Sequence, residues 1–404
     1  MSWQPSPRSA AAREMYCAAE QDRLDRPQRY TLDPETVLDR MAARGEVTPE
    51  EFAPGWRDGL EMFLASAQEE GRLNAVGVRT AVTAALGRLS AGATIRRCHQ
   101  HNPAAGDNAV RSPIVITGGW RTGTTFLFRL LGRDPRLHAP LPAELVAPWA
   151  FTTPSARKPA KAAAARTSML HTLNPAMAVV HPSGPDLPEE CVLAMGTDMR
   201  NWGFTSMFRV PKYADWLGGQ DFAEPYARYR EILQLLELGD DRRFVLKAPA
   251  HMAELDHVAS TFPGAVVIQL HRDIVTTIAS GASLFAVYQS TYSDAVDPVD
   301  VGRRQVEQSE RWFRRAVAFR SSAHREQVTL IDVAYRDLVD RPESVLERIY
   351  AAADMPPPAD LKGFVADYHR AHPRDGQAGH RYTPHDFGLD PAQLRDRFSF
   401  LPYD

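Results

Sequence analysis

Short apolar runs, separated by longer amphipathic stretches, dominate the chain after residue 113. The runs that predict buried β-strands are residues 114–116, 244–246, 265–270 and 328–333. Stretches with helical spacing of apolar residues lie between them, at about 124–131, 222–238, 251–261, 273–286 and 302–325. Short buried strands that alternate with helices are typical of an α/β protein with a mostly parallel sheet flanked by helices.

The first hundred residues carry helical patterns and no strand pattern. Asp33 is followed by a proline and an acidic residue, which together mark the start of a helix. A second start signal begins at Thr48, and a third helical stretch covers about residues 74–89. We therefore expect a helical N-terminal cap region at 1–108 and a second domain at 109–404.

Composition and charge narrow the class of protein. The chain has 404 residues, of which 44% are hydrophobic and 24% charged, and its formal net charge is -3. This balance argues against nucleic acid as a partner, since nucleic-acid binding needs a basic surplus. Cys17, Cys98 and Cys191 lack the paired spacing of a disulfide framework or a zinc site, and no other metal-ligand cluster is evident.

The same sequence lacks the signals of membrane or secreted proteins. The N-terminus has no apolar segment of the kind found in a secretory signal. No apolar run approaches the roughly 20 residues that span a bilayer. We expect a cytoplasmic protein without a transmembrane segment.

A glycine-rich turn follows the first predicted strand. Residues 118–125 read Gly-Gly-Trp-Arg-Thr-Gly-Thr-Thr and lead into the helix at 124–131. Backbone N–H groups in such a turn, together with the positive end of the helix dipole, form a cradle for an anion. Thr124 stands where the P-loop of nucleoside triphosphatases has its lysine, which argues against ATP chemistry. Arg121 supplies a cation in its place.

This turn resembles the 5'-phosphosulfate-binding loop of the sulfotransferases that use 3'-phosphoadenosine-5'-phosphosulfate (PAPS). The arginine form is similar to that of the bacterial branch and the tyrosylprotein sulfotransferases, and Trp120 stands where the family usually has proline. The resemblance, which covers roughly residues 113–355, implies a P-loop NTPase-like fold and PAPS as the co-substrate. It implies donor contacts from Gly119, Trp120, Arg121, Thr122, Gly123, Thr124 and Thr125.

A second half-site follows the strand predicted at 265–270. Arg272 precedes Ser280 by eight positions, as in the family's arginine–serine pair that holds the donor's 3'-phosphate. The guanidinium fork suits a phosphate, and the serine adds a neutral hydroxyl. His271, Arg272 and Asp273 also imitate a kinase catalytic loop, but Ile278 stands where that loop needs asparagine.

Two further elements resemble the family less closely. Tyr335 corresponds to a tyrosine that the family places near the donor's adenine, although a half-buried core aromatic is an equal interpretation. Residues 379–382, Gly-His-Arg-Tyr, resemble a segment that returns to the active site in the bacterial branch. Arg381 is accordingly a candidate for closing over the 3'-phosphate.

The catalytic groups follow from the needs of sulfuryl transfer, which are in-line positioning, a stabilised leaving phosphate and a base. Arg121 and the loop hydroxyls can stabilise the leaving group. Lys247 ends the strand predicted at 244–246 and resembles a lysine that the family places at the donor. A solvated strand-end lysine is the alternative.

The base is open between two residues. Cytosolic members have a histidine two positions after the lysine, but Pro249 occupies that position here. Glu144 lies beyond the loop helix, where carbohydrate and tyrosylprotein sulfotransferases place a catalytic glutamate, and His251 is the second candidate. Glu189 and Glu190 form a pair of carboxylates before an apolar run, for which the acidic start of a helix is favoured over catalysis and acceptor binding is a further alternative.

The predicted function is PAPS-dependent sulfation of a hydroxyl or amine on a small-molecule, lipid or carbohydrate acceptor. The alternatives are a P-loop kinase that uses ATP and a catalytically silent protein that binds PAP, the desulfonated donor. Residues 154–166 are interpreted as a surface loop or weak helix over a pocket. The candidates for an apolar acceptor pocket, although core packing is the more common fate of such residues, are Trp149, Phe151, Trp202, Phe204, Met207, Phe208 and Trp216.

Overall fold

Five short strands form the centre of the molecule. The computed structural model describes residues 3–43, 45, 47–106, 110–152, 167–237, 240–372 and 381–403, so the predicted loop at 154–166 lies outside the described residues. The strands of this part are β1 (Ile114–Gly118), β2 (Leu137–His138), β3 (Arg243–Lys247), β4 (Val266–His271) and β5 (Thr329–Ala334). All four neighbouring pairs are parallel, in the order β2-β3-β1-β4-β5.

This strand order puts β1 in the middle of the sheet. In β1, Ile116 lies opposite Lys247 of β3 on one side and Ile268 of β4 on the other. The chain leaves β1 toward the β3 side and later crosses to β4, so the carboxyl end of β1 is the topological switch point, where ligands of open α/β sheets bind. The predicted α/β class with a parallel sheet is confirmed.

Helices cover both faces of the sheet because consecutive strand residues point to opposite faces. Val115, Leu246 and Val267 enter the larger hydrophobic core. Ile116 and Ile268 enter a second core under the helices Thr124–Leu131, Pro342–Ala352 and Leu361–Ala371. The four predicted strands are confirmed to within two residues. The two-residue β2 was missed because it is too short to carry a pattern.

The α-helices of the described chain differ from the predictions mainly at their ends. The helix predicted at 273–286 continues to Tyr292, and the stretch predicted at 251–261 divides into a 3-10 helix, Pro249–Ala253, and an α-helix, Leu255–Thr261. The remaining α-helices are Ala10–Asp25, Pro34–Ala42, Trp56–Glu70, Ala75–His101, Pro142–Val146, Thr167–Leu173, Ala176–Val180, Gly203–Met207, Pro211–Gly218, Ala223–Leu236, Pro298–Phe319, Tyr335–Asp340 and Pro391–Arg397.

The N-terminal region is helical, as predicted. Asp33 caps its helix by accepting a hydrogen bond from the Thr36 N–H at 2.8 Å. The signal at Thr48 starts only a 3-10 helix, and the α-helix begins at Trp56. Phe63 of that helix is fully buried and stacks on Phe204, with ring centroids 4.5 Å apart. The predicted regions 1–108 and 109–404 therefore share one hydrophobic core.

Two other expectations bear on the surroundings of the site. Trp202, Phe204 and Phe208 are buried, which supports the core interpretation of these aromatic residues over the pocket interpretation. Among the described residues, no helix is long and apolar enough to cross a membrane.

Candidate active site

The phosphate loop, residues 118–125, joins β1 to the helix Thr124–Leu131 at the switch point. Gly118 has φ 145° and Gly123 has φ 93°, both in the region that favours glycine. A Cβ atom on Gly118 would collide with the Leu270 carbonyl oxygen of β4, and one on Gly123 would lie 2.7 Å from the Leu338 side chain. The Thr122 hydroxyl donates to the Gly119 carbonyl at 2.7 Å. These contacts fix a tight turn. Its backbone N–H groups lie directly before the N-terminus of the helix Thr124–Leu131.

Trp120 anchors this loop to the core. Its indole stacks on Trp312 with centroids 5.5 Å apart and meets the edge of Phe285 at the same distance. Because the side chain is buried, only the backbone of Trp120 is available to a donor. An aromatic anchor thus occupies the position where proline was expected.

Lys247 brings β3 into contact with the phosphate loop. Its side chain is 2% exposed, and its Nζ lies 3.4 Å from the Thr125 hydroxyl. The same ammonium donates to Glu190 Oε1 at 2.6 Å. Thr124, which with Thr125 begins the helix Thr124–Leu131, is buried. A cation and a carboxylate therefore stand together beside the loop.

Glu190 lies beside the phosphate loop, a position that the sequence did not predict. The acidic pair was interpreted as the start of a helix, yet only a 3-10 turn, Cys191–Leu193, follows it. No sequence spacing relates residue 190 to residue 247, so only the ion pair itself reveals the association. The signal available beforehand was a pair of adjacent acids in the segment that precedes β3.

A buried ion pair stands behind Glu190. His181 Nε2 lies 3.0 Å from Glu189 Oε1, and Glu189 Oε2 accepts the Glu190 N–H at 3.0 Å. Burial by itself would raise the pKa of Glu189, but His181 outweighs it and lowers that pKa to about 2. Burial lowers the pKa of His181, and Glu189 reverses this and raises it. We call Lys247, Glu190, Glu189 and His181 the acid–base cluster.

Arg272 closes the phosphate loop on the β4 side. Its Nη1 donates to the Arg121 carbonyl at 3.0 Å. Its guanidinium carbon lies 4.0 Å from the centroid of the Tyr335 ring, in the range of a cation–π contact. Tyr335 also borders Gly123 of the loop. Ser280, two turns along the helix Ile274–Tyr292, is buried with 4% exposure.

Comparison with known proteins decides the family. The model of the sulfotransferase family matches residues 113–359, more than half of the chain. The chain belongs to the sulfotransferase family. It is 24% identical over 265 residues to the omega-hydroxy-beta-dihydromenaquinone-9 sulfotransferases Stf3 of Mycobacterium bovis and Mycobacterium tuberculosis. These alignments cover 59% of this chain and 61% of each relative, so the chain spans less than two thirds of their length.

Two solved sulfotransferase structures share the fold over almost the whole chain. STF9 from Mycobacterium avium has a TM-score of 0.77 and 23% identity and covers 91% of this chain and 95% of its own. STF1 from Mycobacterium tuberculosis H37Rv has a TM-score of 0.72 and 26% identity and covers 96% and 98%. The P-loop-like sulfotransferase fold implied by the sequence is thereby confirmed.

The two predicted bases lie in structural networks. Glu144 Oε2 accepts the Leu141 N–H at 2.7 Å and lies 3.1 Å from His138 Nε2, as a capping residue of its short helix. His251 is fully buried, and its Nδ1 pairs with the Tyr226 hydroxyl at 2.7 Å. Burial lowers the pKa of His251 to about 3, which leaves it neutral and weakly basic. Neither has the contact with Lys247 that Glu190 has.

Arg381 lies on the protein surface. It is exposed and begins the described C-terminal stretch, whose 3-10 helix Pro384–Phe387 packs on the helices Ile274–Tyr292 and Pro298–Phe319. The neighbouring residues 379 and 380 lie outside the described residues. Across the described part of the chain, no group of three or more His, Cys, Asp or Glu side chains is arranged to hold a metal ion.

Proposed function

We propose that this protein transfers the sulfuryl group of PAPS to a hydroxyl of an acceptor and releases PAP. The observation that carries the proposal is the Lys247–Glu190 ion pair, held against Thr125 of a glycine-built anion loop. One edge of the sheet thus combines an anion cradle, a buried cation and a carboxylate. Phosphosulfate binding, leaving-group stabilisation and proton acceptance need these three groups.

The donor fits residues on both sides of β1. The loop amides, the Thr124 and Thr125 hydroxyls and the Arg121 cation suit the 5'-phosphosulfate. Arg272 and Ser280 suit the 3'-phosphate. The Arg272 guanidinium stacks on the Tyr335 ring. We therefore assign Arg272 and Tyr335 to the nucleoside end of the donor.

The chemistry follows from the positions around Thr125. The acceptor oxygen forms a bond to sulfur while the bond from sulfur to the bridging oxygen of the 5'-phosphate breaks. Lys247 stabilises the charge that develops on that phosphate, as in phosphoryl transfer. Glu190 accepts the proton of the acceptor hydroxyl. Glu144 and His251, the earlier candidates, are less suited because one caps a helix and the other is sealed in the interior.

A lipophilic alcohol is the acceptor class that we favour. The related Stf3 proteins act, by name, on a hydroxylated menaquinone. In this chain the segment that precedes Glu190 contains the short helices Thr167–Leu173 and Ala176–Val180, and Met169 there is 45% exposed. Val179 and Val180, which directly precede His181 of the acid–base cluster, are partly exposed, and such apolar residues suit a hydrocarbon chain.

The first experiment separates the donor classes. Thermal unfolding is measured with PAP, with AMP, which lacks the 3'-phosphate, and with ATP and magnesium, for the wild type and Arg272→Ala. A ligand that binds the native state raises the midpoint with concentration. We expect a shift with PAP, a smaller one with AMP, and loss of the difference in Arg272→Ala.

The second experiment tests transfer itself. Purified protein is incubated with radiolabelled PAPS and a series of primary alcohols of increasing chain length, with Glu190→Gln as the matched control. We expect labelled sulfate esters with the wild type and a loss of about 10³-fold with the variant, the scale of a missing general base. In the first experiment, a shift of the unfolding midpoint with ATP and magnesium alone would favour a kinase. PAP binding in the first experiment without turnover of PAPS in the second would favour a silent binding protein.

A further inference from the structure

The Glu189–His181 pair contacts the backbone of Glu190 through the Glu189 carboxylate. Glu189 is 7% exposed. One of its carboxylate oxygens faces His181 and the other holds the Glu190 N–H, each at 3.0 Å. The Glu189 N–H donates to the Pro140 carbonyl at 3.1 Å, which ties this segment to the chain beyond β2. Any change in the charge of Glu189 or His181 is therefore felt at the backbone of Glu190.

The charge in contact with Glu189 depends on the protonation of His181. The groups that face it are the Glu189 and Glu190 carboxylates, the Lys247 ammonium and the Tyr288 phenol, whose ring centroid is 5.9 Å from that of His181. His171 contacts the His181 carbonyl at 3.3 Å through its Nε2, and the Arg129 guanidinium donates to the Pro182 carbonyl. In direct contact, Glu189 pairs with His181 and Glu190 with Lys247. With a neutral His181, Glu189 would lose the cation that contacts it.

We propose that His181 is a positioning residue, which as an imidazolium neutralises Glu189 and leaves Glu190 as the carboxylate that pairs with Lys247 and accepts the acceptor's proton. The raised pKa of His181 keeps it charged to higher pH than an ordinary histidine. The inference rests on the proposed function, since it assumes that Glu190 accepts the proton. It predicts that loss of His181 shifts the acid side of the pH–rate profile, whereas loss of Glu189, which also discharges His181, does not.

The test uses charge-matched variants of the full chain. Turnover of PAPS is followed against pH with a long-chain primary alcohol, and with water as the acceptor in parallel. In His181→Gln, the charge of the Glu189 carboxylate is no longer neutralised and favours the protonated form of Glu190. The acid limb of the pH–rate profile, where turnover falls as the pH falls, therefore moves to higher pH by about one unit. In Glu189→Gln, the partner that keeps His181 charged is gone and burial returns the imidazole to its neutral form, so both charges are lost together and the limb stays within a few tenths of a pH unit of the wild type.

The double variant His181→Gln/Glu189→Gln removes both charges and keeps hydrogen-bonding side chains at both positions. We expect its acid limb to return to within a few tenths of a pH unit of the wild type, since the two charges act on the same group. His171→Gln is the matched control, because it disturbs the same segment without changing the charge beside Glu189. Its limb should stay at the wild-type position.

The outcomes separate this inference from the proposed function. If both single variants lower turnover but leave the acid limb at the wild-type pH, the pair is only structural and the inference is overturned. Limbs that move in the same direction would overturn it as well. Unchanged turnover in Glu190→Gln would instead remove the proton acceptor on which both ideas depend. Absence of turnover in the wild type, despite PAP binding, would contradict the proposed function and, with it, this inference.

Discussion

The phosphate loop and the acid–base cluster lie at the same edge of the sheet, but they are built in different ways. The loop is held by its own backbone, with Gly118 against β4, Gly123 against Leu338 and Trp120 in the core. The cluster is held by ionic contacts between the strand-end Lys247 and residues 181–190, which contain no strand.

This difference has a consequence for variants. A change in the loop should act on folding and donor affinity together, because the loop and the core are packed against each other. A change in the cluster should act on turnover and its pH dependence, because its members touch through charge. Variants in the two regions should therefore differ in which property they change.

The largest effect is expected from Glu190→Gln. Removing the carboxylate that pairs with Lys247 should lower kcat by about 10³-fold, as loss of a general base does. The Kd for PAP should change less than about threefold, since Glu190 contacts Lys247 rather than the loop backbone. Steady-state kinetics and calorimetric titration with PAP measure the two values. A weakened PAP affinity with unchanged kcat would mean that the acid–base cluster acts on donor affinity and not on turnover.

Trp120→Ala should give the largest loss of stability. The substitution leaves a cavity between Trp312 and Phe285, and truncation of a buried tryptophan costs about 3–5 kcal/mol. Urea unfolding monitored by circular dichroism measures the free energy of unfolding. Trp216→Ala, at a partly buried position away from the loop, is the control and should cost less. Equal losses in the two variants would contradict an anchoring role for Trp120.

Arg272→Ala should weaken PAP binding by about 10- to 100-fold, the range of lost charge-assisted hydrogen bonds. The loss should be much smaller for AMP, which lacks the 3'-phosphate. Titration calorimetry with both nucleotides measures the difference, and Arg272→Lys should recover only part of the affinity because lysine lacks the bidentate fork. Equal losses of affinity for PAP and AMP would mean that Arg272 acts through its contact with the Arg121 carbonyl of the loop and not through the 3'-phosphate.

The smallest effect concerns the pH dependence of stability. The pKa of Glu189, lowered from 4.5 to about 2, makes its contribution complete above pH 4.5 and lost as the pH falls toward 2. The raised pKa of His181 makes its contribution complete below pH 6.5 and lost as the pH rises through the folded value.

The stability difference between the wild type and His181→Gln/Glu189→Gln should therefore be most favourable to the wild type between pH 4.5 and 6.5. Urea unfolding over a pH series checks this. A difference that does not vary with pH would mean that the pair is not ionised in the folded protein.

Regular elements of this protein were predictable where neighbours in sequence decide them. The strand run at 114–116, the glycine pattern of 118–125 and the Asp33 cap are local signals, and the structure has a strand, a tight loop and a capped helix there. Element ends were less predictable: the helix that begins at Ile274 extends to Tyr292 because packing, not propensity, supports its last turns.

The sequence by itself determined the class of fold, the phosphate loop and its candidate partners Arg272 and Lys247, because a strand end and a glycine turn are encoded within a few residues. Only the tertiary structure revealed the association of Lys247 with Glu190 and of Glu189 with His181. The physical reason is that an ion pair between residues 57 positions apart leaves no periodic or spaced signal in the chain. It forms because the fold brings two segments together, and the charges of those segments then determine which carboxylate stands at the loop.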